Sequence, residues 1–204
     1  MGYSLSWCAV RGKEAKVVLD ELGLHPTGER EAFAESPLVA AQLPSGWYVI
    51  VADHDERFQA EEVRVRLSLR CEMVSCDVEE HVMYSAASGW QNGQMLWSVE
   101  HAGSDGLDDL HTEGQLPAVF PDIRARLQAE LAENQRDADY LFDVPIELAK
   151  ALVGYRHDED LPASDEEPFE VLAEAPTSAA SVTPAETATK AASISWLKRL
   201  FGGR

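Results

Sequence analysis

A chain of 204 residues, 45% hydrophobic and with a formal net charge of −19, is large enough for one ordinary domain with its own core. That charge argues against nucleic acid as a partner, because a phosphate backbone needs a basic footprint, and against an anionic membrane as a partner for the body of the protein. No run approaches the ~20 apolar residues that cross a bilayer, Met1–Ser6 lacks the character of a secretory leader, and Cys8, Cys71 and Cys76 read as reduced cytoplasmic thiols.

Tyr3–Val10 alternates, with Tyr3, Leu5, Trp7 and Ala9 on one side and Ser4, Ser6 and Cys8 on the other, which predicts a half-buried strand. Gly2 and Ser6 fit a loose N-myristoylation pattern, but bulky Tyr3 and the strand reading argue against it. Lys13–Leu22 places Ala15, Val18, Leu19 and Leu22 at helical spacing, closed by Gly23. His25-Pro26-Thr27-Gly28 reads as a turn, and residues 29–46, punctuated by Pro37, Pro44 and Gly46, as loop with at most a short strand. Trp47–Ala52 is apolar on both faces and predicts a central strand covered on both sides. Asp53-His54-Asp55 is a polar turn before a helix at Asp55–Leu67, with Arg64 and Arg66 on its solvated face.

Cys71–Val78 predicts another strand. Asn92-Gly93 then separates two alternating runs, a hairpin signature because both central turn positions need positive φ. A strict two-residue turn would set Trp90 against Met95, Ser88 against Trp97, Ala86 against Val99 and Tyr84 against His101, all on one face. Gly103–Gly114 reads as acidic loop with room for a short edge strand. A helix follows at about Ala118–Asn134, with Pro121 in its first turn, and a second at Pro145–Val153, capped by Asp143 and ended by Gly154.

Composition changes at His157. Asp158–Thr189 holds nine acidic residues and no Lys or Arg, with Pro, Ala, Ser and Thr between them, so it buries too little apolar surface to offset its ordering entropy. Pro168–Leu172 is the one apolar patch in it, able to dock back on the body. From Lys190 to Arg204 the sign reverses, with four basic residues and no acid. There Ile194, Trp196, Leu197, Leu200 and Phe201 fall at helical spacing beside Lys198 and Arg199, the pattern of a short basic amphipathic helix suited to a membrane interface or a partner groove. About two turns are too few for a stable helix in water, so the helix would form on docking. Two other readings compete: a cationic end folding back on a body of −14, or an inert end.

Candidate chemistry is sparse. Cys71, Cys76 and His81 are spaced five apart and would point to opposite faces of a strand, against a shared metal. His54 between Asp53 and Asp55 offers acid–base groups but reads first as a turn. Glu100, His101, Asp105, Asp108, Asp109 and His111 cluster without EF-hand spacing and read as a solvated acidic loop. No nucleophile elbow or phosphate loop is present. Tyr155–Asp160 reads as a frayed domain edge.

Two segments, Leu43–Ala52 and Tyr140–Asp158, resemble an uncharacterised group of bacterial cytoplasmic proteins without established activity. The likeness covers roughly residues 1–172 and leaves out the tail. It implies a bacterial, intracellular protein and carries over no functional residues.

The predicted fold is α+β, a single domain with a mixed, partly antiparallel sheet of about five strands packed by about four helices, plus a disordered C-terminal tail. Its parts are an acidic α+β body over 1–157, a disordered acidic linker over 158–192 and the basic amphipathic segment over 193–204. If the strands of residues 3–52 are parallel, their crossover should be right-handed. The expected function is a non-catalytic protein-binding role of adaptor, accessory or immunity type, with no catalytic residues, metal or cofactor. The acidic body would take a basic protein, and the terminal segment would dock on a membrane or partner. The expected location is the cytoplasm, with peripheral contact at the inner membrane. The alternative is a hydrolase using His54 or His101 with neighbouring carboxylates.

Overall fold

The computed structural model describes residues 2–55, 57–103, 110–134, 140–161 and 167–175, without the side chains of 131–134. The described strands are β1 (Ser4–Arg11), β2 (Leu24–Glu31), β3 (Leu38–Gln42), β4 (Tyr48–Asp53), β5 (Glu72–Glu79), β6 (Tyr84–Gln91), β7 (Gln94–Ala102), β8 (His111–Gly114) and β9 (Phe169–Glu174). The described helices are α1 (Ala15–Leu22), α2 (Glu61–Leu67), α3 (Phe120–Asn134) and α4 (Tyr140–Val153).

The nine strands form one sheet in the order β2-β9-β3-β4-β1-β5-β6-β7-β8, and every pairing is antiparallel. This corrects the expected mixed sheet of about five strands. Because β1 and β4 run antiparallel, the handedness rule for parallel crossovers does not arise. The uncounted strands sat where turn-forming residues masked them. β2 contains His25-Pro26-Thr27-Gly28, which read as a turn, but β2 is an edge strand, and a register shift between Pro26 and Arg30 absorbs the irregularity. β3 lies between Pro37 and Pro44, in the stretch read as loop with at most a short strand. β9 falls inside the expected acidic linker and inserts between β2 and β3, so the boundary expected at His157 is too early.

Both faces of the sheet are covered, in three layers. On one face Trp7, Ala9, Val49, Val51, Val74, Cys76, Trp97 and Val99 pack against α3 and α4 through Ile123, Leu127, Leu141, Ile146 and Leu148. On the other, Cys8, Val10, Tyr48, Ile50, Met73 and Trp90 pack against Val18 and Leu19 of α1, Leu67 of α2 and Phe58. Burying each large apolar side chain there contributes roughly 1.5–3 kcal/mol. Coverage on both faces explains why Ser6–Val10 is buried at every position, where alternation alone predicted a half-buried strand.

The β6–β7 hairpin closes on Asn92 (φ 53°) and Gly93 (φ 77°), as the dipeptide predicts. Its register differs from a strict two-residue extrapolation. Trp90 faces Met95, but Trp97 faces Gly89, Val99 faces Ala87 and His101 faces Ser85, so Leu96 is an extra, bulged residue. Gly89 makes this register possible: a Cβ there would lie 2.1 Å from Nε1 of Trp97. The bulge turns Trp97, Val99 and His101 toward the helices.

Two helices begin at other positions than expected. α2 starts at Glu61 rather than Asp55, after a turn that Asp55 organises by accepting from Arg57 N at 2.8 Å. α4 starts at Tyr140, five residues before Pro145, because Leu141, Phe142 and Val144 bury against the sheet and outweigh the one lost helical bond.

Tyr155-Arg156-His157-Asp158 is a fastening rather than a frayed edge. Tyr155 is buried edge-on to Trp7 (centroids 5.3 Å) and to Phe169 of β9 (6.3 Å). The Arg156 guanidinium reaches Asp143 at 2.8 Å, Glu147 at 2.7 Å and Asp158 at 2.6 Å. Burial alone would lower its pKa, but Asp158 and Asp143 raise it instead.

Candidate functional site: a polar cleft beside α2

The face of the sheet under α1 and α2 changes character along the strands. At the Arg11 end, Val10, Met73 and Trp90 are apolar. Toward the other end the alternate residues of β5 on this face become Ser75, Asp77 and Glu79. Their neighbours are Ser4 and Ser6 on β1 and Tyr84, Ala86 and Ser88 on β6.

Two joined hollows open there. One, of about 250 Å³, is lined by Ser4, His54, Asp55, Gln59, Asp77, Glu79, Val82 and Tyr84. The other, of about 310 Å³, adds Arg64, Ala86, Ser88, Met95, Ser98 and Glu100. They share Gln59, Asp77 and Tyr84 and form one cleft between α2 and the β5–β7 strands.

Its floor is an ion pair. Nη2 of Arg64 donates to Oδ2 of Asp77 at 2.6 Å, and the side chains are only 16% and 4% exposed. Nε of Arg64 donates to the Phe58 carbonyl at 2.5 Å, tying the preceding turn to the helix. A buried carboxylate is tolerable only with such partners. Arg64 therefore points inward, which corrects its reading as part of a solvated face, while Arg66 is exposed as expected. The alternation Ser75, Asp77, Glu79 inside a buried strand was the available signal for a polar site under a cover.

Deeper in, the Ser75 and Ser88 hydroxyls lie 2.8 Å apart and Trp90 Nε1 donates to Ser88 Oγ at 2.8 Å. At the rim, Glu79 accepts from Ser4 Oγ at 2.5 Å and pairs with His81 Nδ1 at 2.7 Å. Those contacts hold its carboxyl below the usual range, so it is charged at neutral pH. Burial tends to raise Asp55, but the hydrogen bonds from Arg57 outweigh it and the net shift is downward. Burial, aided by Glu100 and Asp77, pushes the Tyr84 phenol up to about 12, so it stays a donor. The cleft thus carries fixed negative charge, and its arginine is already committed.

The groups considered for catalysis are separated. His54 sits at the cleft mouth, 71% exposed, with Nε2 4.0 Å from Asp53. His101 is fully buried on the opposite face, the face of Trp97 and Val99. Glu100 faces His111 across β7 and β8. Asp105, Asp108 and Asp109 lie outside the described residues. Cys76 is buried against α4's side and Cys71 against α2's, where its thiol reaches the Leu67 carbonyl at 2.9 Å. Burial raises the pKa of all three thiols. Among the described residues, no three His, Cys, Asp or Glu side chains gather as metal ligands.

Ile194, Trp196, Leu197, Lys198, Arg199, Leu200 and Phe201 lie outside the described residues. No described helix is long and apolar enough to cross a membrane. The chain matches no protein-family model, no curated protein and no solved structure.

Proposed function

We propose that this is a non-catalytic binding protein, of adaptor, accessory or immunity type, whose acidic body takes a basic segment of another protein. The observation that carries the reading is the cleft: Asp55, Asp77, Glu79 and Glu100 line it, while Arg64 is spent on Asp77. With Asp77 paired to Arg64 and Asp55 to Arg57, a lysine or arginine entering from a partner would meet the Glu79 and Glu100 carboxylates, and the Tyr84 and Ser98 hydroxyls beside them.

The surrounding surface favours the same class of partner. Arg11, Lys13, Lys16, Arg57, Arg126, Lys150 and Arg156 each hold a carboxylate of this chain. With 36 acidic residues to 17 basic, such pairing leaves the acids in surplus. An acidic field of this kind speeds encounter with a basic protein and weakens with salt. The terminal segment 193–204 then serves as a second docking element, toward a membrane or partner.

The test is affinity capture from cells with the native chain and with Glu79→Gln/Glu100→Gln, read by mass spectrometry. Basic proteins should be enriched on the native chain and lost from the variant. A captured set without basic bias, or one unchanged in the variant, overturns the reading. Deleting Ser193–Arg204 and fractionating cells tests the segment: an unchanged distribution and unchanged partners dispose of its role.

A further inference from the structure

The end of the sheet away from the polar cleft carries a different hollow. It has a volume of about 320 Å³, room for one large side chain, and Trp47 and Trp97, both packed on the α3–α4 face, line it together with Val74, Leu96, Pro117 and Leu152. The glycine at 89 leaves space for the Trp97 ring. Leu96, the bulged residue of β7, is 45% exposed at the lip. The Arg11 guanidinium lies over the Trp47 ring, 4.5 Å from its centroid, and pairs with Glu72. This groove is apolar inside with ionic groups at its rim.

We propose that the terminal segment of the same chain, Ser193–Arg204, docks in this groove, with Trp196 seated beside Trp47 and Trp97. Three observations favour that occupant. The segment offers an apolar stripe, Trp196, Leu197, Leu200 and Phe201, to an apolar groove. It carries Lys198, Arg199 and Arg204 and no acid, against a body of −14. The tether also fits. β9 runs antiparallel to β3, so the chain leaves the sheet at the His54 end, where Glu174 pairs with Arg57 at 3.1 Å. From there to the groove is about 30 Å along and across the strands. Residues 176–193, read from composition as a flexible linker, would have a root-mean-square span of roughly 20–25 Å. A tether comparable in length to its span gives an effective concentration in the millimolar range, so weak intrinsic affinity is enough for docking. The inference goes beyond the binding role above: a docked segment is withheld from membranes and partners until something competes it off the groove.

The test uses the full chain, ¹⁵N-labelled, with a nitroxide on Gly203→Cys; the native thiols of Cys8, Cys71 and Cys76 are buried and resist labelling. Amide signals of Trp47, Gly93 and Leu96 should be lost by paramagnetic broadening, while those of His54, Glu79 and Tyr84, at the far end of the strands, are kept. Leu96→Asp, at an exposed position, should restore the lost signals without unfolding the protein. Broadening centred on the His54 end, uniform broadening or none overturns the proposal, as does broadening that survives Leu96→Asp. Mixing spin-labelled unenriched chains with unlabelled ¹⁵N chains should broaden nothing; signal loss there would mean that the segment reaches another copy, which overturns docking within one chain.

Discussion

Arg64 and Asp77 show how a single residue pair constrains this fold. Asp77 sits mid-strand under α2, and its buried charge is held by a guanidinium at 2.6 Å. Removing one partner of such a pair typically costs about 3–5 kcal/mol, whereas replacing both with apolar residues is often nearly neutral. Arg64→Met should therefore lower the urea midpoint by the equivalent of about 3 kcal/mol, and Arg64→Met/Asp77→Leu by clearly less. His157 constrains the pH range instead. Its ring packs edge-on to Tyr3, centroids 4.7 Å apart, and both ring nitrogens are buried without a partner. Burial lowers its pKa below the ordinary 6.5, with Arg156 adding to the shift and Asp158, Glu80 and Asp143 opposing it. Below pH 6.5 the unfolded chain takes up a proton that the folded chain refuses, so stability falls as pH drops toward the folded value. Urea melts from pH 8 to 5 should show that loss in the native protein and a flatter profile in His157→Phe, with the two parallel above about 6.5. The carboxylates with lowered pKa, Glu79, Asp55 and Asp158, act separately, below their ordinary values of 4.5 and 3.8.

Within the hairpin of β6 and β7, the contact of Gly89 with the Trp97 indole sets the register. A methyl group at 89 would have to displace the indole, and overpacking of this kind costs about 1–3 kcal/mol. Gly89→Ala should lower the melting midpoint accordingly and shift the Trp97 indole resonance. β9 is held by Phe169, buried against Tyr155. Phe169→Ala should cost about 3–5 kcal/mol and expose β2 to hydrogen exchange before the rest of the sheet. These elements also show what the sequence could and could not disclose. β1, β4, β5 and the Asn92-Gly93 hairpin were legible because their periodicity or turn chemistry is local. β2, β3 and β9 were not, since Pro26, Pro37 and the acids around Phe169 carry local signals for turns and solvent. For β2 and β9, pairing across more than a hundred residues overrides those signals, and one sequence does not show such pairing; β3 pairs mainly with its neighbour β4, and its prolines hid it. The cleft was half legible: His54 and Asp55 stood out, while Asp77 and Arg64 meet only through packing of α2 on β5.

For the molecule as a whole, the surplus of carboxylates sets both partner choice and self-repulsion. With a net charge of −19, the compact state gathers like charges that the unfolded chain spreads apart. Raising salt from 0.01 to 0.15 M shortens the screening length from about 30 to about 8 Å. The melting midpoint should therefore rise over that range at constant pH. A fall would mean that the internal ion pairs, rather than repulsion, dominate the electrostatics. The two ends of the sheet divide the remaining work, a carboxylate-lined cleft by α2 and an indole-lined groove at the Arg11 end.

The place of β9 bears on how the protein is made. Among the described strands β2 pairs with β9 alone, and β9 is synthesised after every other described strand of the sheet. Until it emerges, β2 has no partner strand and β3 keeps one open edge. A nascent chain halted before Phe169 would present a ready slot to any extended peptide nearby, so translation speed and chaperone cover while β9 emerges bear on yield.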